Sequence, residues 1–311
     1  MALPSLPARV TVVEVGPRDG LQNESVTLAT QDKIGFVDRL SAAGLPVIEV
    51  GAFVAPQRVP QMADSAEVLR GITRREGTRY TALVPNRKGL DRALAAGVDD
   101  IAIFGAASET FSRRNINQSI DESLVTYAEV CARAAQERLR VRAYLSTCFG
   151  CPFEGRVPPL RVAEVADRFL ALGVYELALS DTIGVADPVL VEQVVDATAR
   201  RVPRSQLALH LHDTRGTALA NVLAGLYSGI TTFDASAGGL GGCPFAPGAT
   251  GNLATEDLIY MLRGMGIETG VALEQVVDAS AHVEQVIGHR LPSRYYQAAV
   301  SRGANAAGSS R

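Results

Sequence analysis

A chain of 311 residues that is 47% hydrophobic and 20% charged carries enough apolar material for a sizeable core, and none of its apolar runs approaches a bilayer span; membrane proteins and disordered tails are excluded. Thirty basic against thirty-three acidic side chains leave a formal charge of −3 with no block of like charge, which excludes nucleic acid as a partner and points to a small molecule. Four cysteines form no disulfide framework and MALPSLPARV reads as no secretory signal, so a reducing, cytoplasmic location is expected.

Short β-branched runs recur along the chain, each followed by apolar residues at helical spacing and too far apart for hairpins. The first predicted strand, Val10 to Val15, runs into VGPRDGLQNE, where Gly16, Pro17 and Gly20 make a tight turn that sets Arg18 and Asp19 at its end. A helix over Thr30 to Ala43 follows. In the second strand, Pro46 to Gly51, Glu49 is a buried carboxylate that needs a partner, and Arg18 of the adjacent strand is the natural one. The third strand, Arg79 to Val84, leads to PNRKG. The fourth, Asp99 to Phe104, leads to SRRNINQS, whose Arg113 and Arg114 are a solvated pair or a phosphate contact. A helix over Ser119 to Glu137 comes next.

The fifth strand, Val141 to Thr147, is followed by Cys148 and Cys151, a C-x-x-C that lacks the second half of a zinc site, and by a helix over Leu160 to Leu172. The sixth, Tyr175 to Ser180, ends at Asp181, and Pro188 to Arg201 reads as a helix with Asp187 as N-cap and Pro188 in its first turn. The seventh, Leu207 to His212, ends in HLHD. A strand's period of two points His210 and His212 to one side, where they can share an ion; the alternative is two core histidines bonded to backbone carbonyls. His282 and His289 lie in the later helical part. After a helix over Thr217 to Ser228 and an eighth strand, Thr231 to Ser236, comes GGLGGCPFAPGATGN, a glycine-rich loop that can move over a ligand and carries Cys243. At its end Asn252 can add a carbonyl oxygen to a metal, and Asp19 can complete a site of two nitrogens and a carboxylate.

Eight βα units in roughly 250 residues fit a closed TIM (β/α)8 barrel better than an open Rossmann sheet, and G-x-G-x-x-G, the phosphate-loop motif and the G-x-S-x-G elbow are all missing. The whole chain reads as one domain: a barrel over about 10–265, a C-terminal helical extension over about 266–300 and a mobile tail, 301–311. Active-site residues are expected at the C-terminal ends of the strands.

From about Val12 to about Val271 the chain resembles the 3-hydroxy-3-methylglutaryl-coenzyme A lyases, a family of barrel metallolyases. The likeness runs through VGPRDGLQNE, FGCPFEG, SDTIG, HLHDTRG and GLGGCPFAPGATGNLATEDL. It implies a divalent Mg²⁺ or Mn²⁺ held by Asp19, His210, His212 and Asn252, with Arg18, Asp181 and Cys243 in catalysis and Glu49 supporting the site. It further implies an acyl-CoA substrate whose coenzyme lies near Asn115, Arg113 and Arg114, and a homodimer. Two departures are Ser25, where the family often has lysine, and Ala178, where it often has serine.

The chemistry implied is a retro-Claisen cleavage to acetyl-CoA and acetoacetate. Arg18 would hydrogen-bond the thioester oxygen, Cys243 would protonate the departing enolate, and Asp181 would act as base or orient His210. A Schiff-base aldolase would need a strand-end lysine, and the only two lysines are Lys33, on a predicted outer helix, and Lys88. Competing readings are a lyase for citramalyl-CoA or a prenylated glutaryl-CoA, a condensing synthase, and a non-catalytic metal-stabilised binding barrel.

Overall fold

Each β-branched run forms a strand because both of its faces are covered, one by the barrel interior and one by helices. The structure, a computed structural model, describes residues 6–242 and 251–308, the side chains of 302–308 excepted. The strands are β1 (Thr11–Glu14), β2 (Val47–Ala52), β3 (Arg79–Leu83), β4 (Asp100–Ala106), β5 (Arg140–Ser146), β6 (Glu176–Ser180), β7 (Leu207–His210) and β8 (Thr232–Ala235). All pair in parallel in sequence order, and β8 closes on β1 with Thr11 beside Thr232 and Glu14 beside Ala235. The result is a closed (β/α)8 barrel.

Around it lie α1 (Thr30–Ala42), α2 (Ser65–Gly71), α3 (Arg87–Ala96), α4 (Glu109–Ile116), α5 (Ile120–Gln136), α6 (Pro159–Leu170), α7 (Pro188–Ala199), α8 (Ala218–Tyr227) and α9 (Thr255–Gly264). Their ends follow local chemistry. Ser119 and Glu122 form a reciprocal capping box at α5, and Asp187 accepts the Leu190 N–H at 2.9 Å ahead of Pro188 at α7.

Beyond the barrel, α10 (Leu273–Ile287) packs on α1 and α9, and α11 (Arg294–Gly308) packs on α9. The extension therefore covers the barrel's closing seam. Residues 301–308, expected from the sequence to belong to a mobile tail, continue α11, in keeping with the helix preference of Ala304, Ala306 and Ala307. Among the described residues no helix is long and apolar enough to cross a membrane.

Two local features beside the strand ends depart from expectation. The seventh strand stops at His210, because His212 leaves the ladder to bridge Asn252. GPRDG is a five-residue π turn, Gly16–Gly20, in which the Val15 carbonyl accepts from the N–H groups of Arg18, Asp19 and Gly20. Both glycines permit close approach: a Cβ on Gly16 would sit 2.6 Å from Glu14 Oε1, and one on Gly20 would sit 2.8 Å from Leu240 Cβ.

Candidate active site

At the C-terminal rim of β1 the π turn presents two adjacent charged side chains. Arg18 is 6% exposed; its Nε donates to Glu49 Oε2 and its Nη1 to Asp19 Oδ1, both at 2.5 Å. Burial works against the guanidinium's charge, but Glu49 and Asp19 more than offset it, so Arg18 stays a cation. Burial would raise Asp19, but the Arg18 guanidinium beside it holds it well below the usual carboxylate range. Asp19 is an anion at neutral pH.

Opposite this turn, the end of β7 and the bridge just after it bring His210 and His212 together with their Nε2 atoms 3.3 Å apart, and His210 Nε2 lies 3.8 Å from Asp19 Oδ2. Ligand atoms of Asp19, His210 and His212 all fall within 4.8 Å of one another, the geometry of a group that can share a cation. Asn252 completes it: its Nδ2 donates to Asp19 Oδ2 at 2.9 Å, while its buried Oδ1 has no hydrogen-bond partner. A buried acceptor left open beside two imidazoles and a carboxylate fits a divalent cation. Burial pushes His212 down to about 4, which keeps its ring a neutral lone-pair donor at neutral pH.

His210 is oriented from its other edge by Asp234 of β8, whose Oδ2 lies 3.1 Å from His210 Nδ1. Asp181 does not take that role. It is fully buried, and its two oxygens accept from the Val185 and Ala186 N–H groups at 2.9 Å each, fixing the loop between β6 and α7. Burial lifts its carboxyl to about 6 against the pull of those hydrogen bonds.

The metal-capable group opens into a cleft of about 820 Å³ that extends over the ends of β2 to β5 as far as α4. Arg18, Asp19, His210 and His212 line one part, with Tyr144, Ser180 and Thr182 nearby; Leu83, Phe104, Phe111 and Ile116 give an apolar wall. Asn115 lines the cleft, whereas Arg113 and Arg114 do not: Arg113 pairs with Glu109 at 3.1 Å and Arg114 lies over the Phe153 ring at 4.3 Å. The second arginine in the lining is Arg58, from the loop after β2.

Neither lysine lines it, and Lys33 is tied to Asp64 at 2.6 Å. Cys148 and Cys151 are buried, their thiols near Leu145 O at 2.9 Å and Ser108 Oγ at 3.0 Å, so this C-x-x-C is packing. Cys243 lies outside the described residues, although Gly242 just before it lines the cleft and its carbonyl accepts from Asn23 Nδ2 at 3.0 Å.

Four members of the site were missed in the sequence: Asp234, Arg142, Tyr144 and Arg58. The signal was present for the first two, a charge inside an apolar strand in TTFDAS and VRAYL, the same signal that singles out Glu49.

The chain is similar to known proteins over nearly its whole length. Hydroxymethylglutaryl-CoA lyase YngG of Bacillus subtilis is 51% identical over 94% of this chain and 97% of its own. The 3-hydroxy-3-isohexenylglutaryl-CoA/hydroxymethylglutaryl-CoA lyase of Pseudomonas aeruginosa is 51% identical over 96% of this chain and 99% of its own. A solved HMG-CoA lyase from Acinetobacter baumannii, in complex with coenzyme A and 3-methylmalate, superposes with a TM-score of 0.89 at 39% identity, covering 94% of this chain and 95% of the other. The HMGL-like family model matches residues 9–283, and with relatives this similar over nearly its whole length the chain belongs to that family.

Proposed function

We propose that this protein cleaves 3-hydroxy-3-methylglutaryl-CoA to acetoacetate and acetyl-CoA, as a carbon–carbon lyase that depends on a divalent cation, Mg²⁺ or Mn²⁺. The observation that carries this reading is the convergence, beside one cleft, of Arg18 with a cation-capable group of Asp19, His210, His212 and Asn252. The names of relatives 51% identical to this chain support the choice of substrate.

When bound, a divalent cation supplies Lewis acidity that makes a substrate hydroxyl more acidic. The protein's own residues do the rest. Arg18, pinned through Nε by Glu49, faces the thioester oxygen and stabilises negative charge as the bond between C2 and C3 breaks. Asp181 is the candidate base on its sequence position at the end of β6; both of its oxygens accept backbone N–H groups, and it is Thr182 beside it that lines the cleft. Cys243 is assigned the protonation of the acetyl-CoA enolate, a role its sequence position next to the cleft-lining Gly242 supports. Arg58 and Asn115, on the loop after β2 and on α4, are suited to meet the coenzyme, in place of Arg113 and Arg114.

A second reading, a larger apolar group at C3, is favoured by the wall of Leu83, Phe104, Phe111 and Ile116. Product analysis of metal-reconstituted protein with a panel of 3-hydroxyacyl-CoA thioesters tests both. Acetoacetate and acetyl-CoA from the methyl substrate are expected; absence of cleavage of every member would overturn the assignment.

A further inference from the structure

Below the cation-capable group, the middle of the barrel holds a charged network where apolar side chains would ordinarily pack. Arg142 of β5 is 1% exposed and Asp234 of β8 is 2% exposed. Arg142 donates through Nη1 to Asp234 Oδ2 at 3.0 Å, through Nη2 to Asp234 Oδ1 at 2.7 Å and through Nε to Glu176 Oε1 at 2.6 Å. Asp234 Oδ2 in turn meets His210 Nδ1 at 3.1 Å. On the far edge of the same ring, His210 Nε2 faces His212 and Asp19.

We propose that Arg142 and Asp234 are positioning residues that fix His210 as the Nδ1–H tautomer and thereby set the site's affinity for its cation. This rests on the reading above that the site takes a divalent cation. A neutral imidazole has one N–H and one lone pair, and an ionised carboxylate can only accept, so Asp234 beside Nδ1 leaves the lone pair on Nε2, where the cation would be. The fork of Arg142 holds both oxygens of Asp234, so the carboxylate cannot swing away from the ring. Two charge-assisted donors of one guanidinium, one on each oxygen, are the partners an ionised carboxylate takes. The Tyr144 ring lies beside all three, 5.0 Å from the Arg142 guanidinium, 5.4 Å from that of Arg18 and 5.7 Å from the His210 ring. A buried ion pair is a poor source of stability compared with apolar filling. Its connection to a ring edge opposite the cation-capable group gives the charges a use that packing would not serve.

The test is Mn²⁺ binding, followed by the electron paramagnetic resonance of free Mn²⁺, in wild type, Asp234→Asn and Arg142→Lys, with circular dichroism to establish folding. Arg142→Lys keeps a cation but loses the fork, and each variant is expected to weaken binding by about 10- to 100-fold while remaining folded. Folded variants with wild-type affinity would overturn the inference. Should neither variant fold, ¹⁵N resonances of the histidines in metal-free wild type decide it: His210 protonated at Nδ1 is expected, and protonation at Nε2 overturns it. A wild type that binds no Mn²⁺ would remove the cation reading and this inference together, whereas wild-type binding with unaltered variants would remove this inference alone.

Discussion

Arg18 is held between two anions, and its planar fork is shared by Glu49 and Asp19. A lysine there would keep the charge but not the geometry, so Arg18→Lys is expected to lower kcat by about 10²- to 10³-fold, the loss associated with one oxyanion donor, while the chain stays folded. Steady-state kinetics beside a melting curve checks this, and near-normal turnover would make Arg18 purely structural. Arg58 separates coenzyme recognition from chemistry. With the substrate's CoA thioester, Arg58→Ala is expected to raise KM by about tenfold, whereas with the pantetheine thioester, which lacks the phosphates, KM should not move. Equal effects on the two would place Arg58 away from a phosphate. For Cys243→Ala, kcat is expected to fall by about 10²- to 10⁴-fold with little change in stability, the signature of a lost general acid rather than a lost core side chain. The donor set was legible because H-x-H, R-D and a terminal Asn are short motifs at strand ends. Asp234 was not, since its meaning depends on Arg142, 92 positions away in sequence, and on a histidine of a neighbouring strand.

Elements report themselves through a different signal, a β-branched run closed by a helical pattern, and all eight strands and the five named helices were legible from it. The π turn was not, because glycine, proline and aspartate suit a tight turn equally well. What holds that turn is Glu14, at the end of β1. Its Oε1 accepts from Gly16 N at 2.7 Å and Ala237 N at 2.9 Å, and its Oε2 accepts from Thr255 Oγ1 at 2.7 Å, tying β1 to the start of the glycine-rich loop and to α9. Glu256 repeats the device by accepting from Gly238 N and from Ser280 Oγ of α10. No cation faces either carboxylate in these contacts, and burial lifts Glu14 to about 7 and Glu256 to about 8. The native state therefore keeps protons that the unfolded chain releases near its ordinary 4.5. This contribution is complete below that pH and is lost as pH rises through about 7. Glutamine at position 14 can accept from both N–H groups and donate to Thr255 without ever ionising. Relative to wild type, Glu14→Gln is expected to gain stability between pH 5 and pH 8 by on the order of 1–3 kcal/mol, at about 1.4 kcal/mol per pH unit in the titrating range. Urea unfolding at several pH values measures it, and a constant difference across that range would show that Glu14 does not titrate there.

At the scale of the whole molecule, the cation-capable group exists only because the barrel closes. Asp19 comes from the turn after β1, His210 and His212 from the end of β7, and Asn252 from beyond β8, so the seam between the first and last strands and the bridge from His212 to Asn252 must both form before the four can meet. An unfolded chain cannot gather ligands more than 230 positions apart, although H-x-H alone retains weak affinity. Cation binding must then stabilise the native state by mass action, by about 2.7 kcal/mol at a hundred times the Kd. Stripping divalent ions with a chelator is expected to abolish turnover and to lower the melting temperature by a few degrees, with Mg²⁺ or Mn²⁺ restoring both. Asp19→Asn should remove most of the thermal shift, because it takes the only anion out of the donor set, while leaving the barrel's apolar core untouched. The two readouts fail separately. Turnover that survives chelation would end the case for a cation in the chemistry, and a melting temperature indifferent to Mn²⁺ in a cation-dependent enzyme would show that the ion binds only together with substrate, at a site the closed barrel leaves too weak to hold it alone.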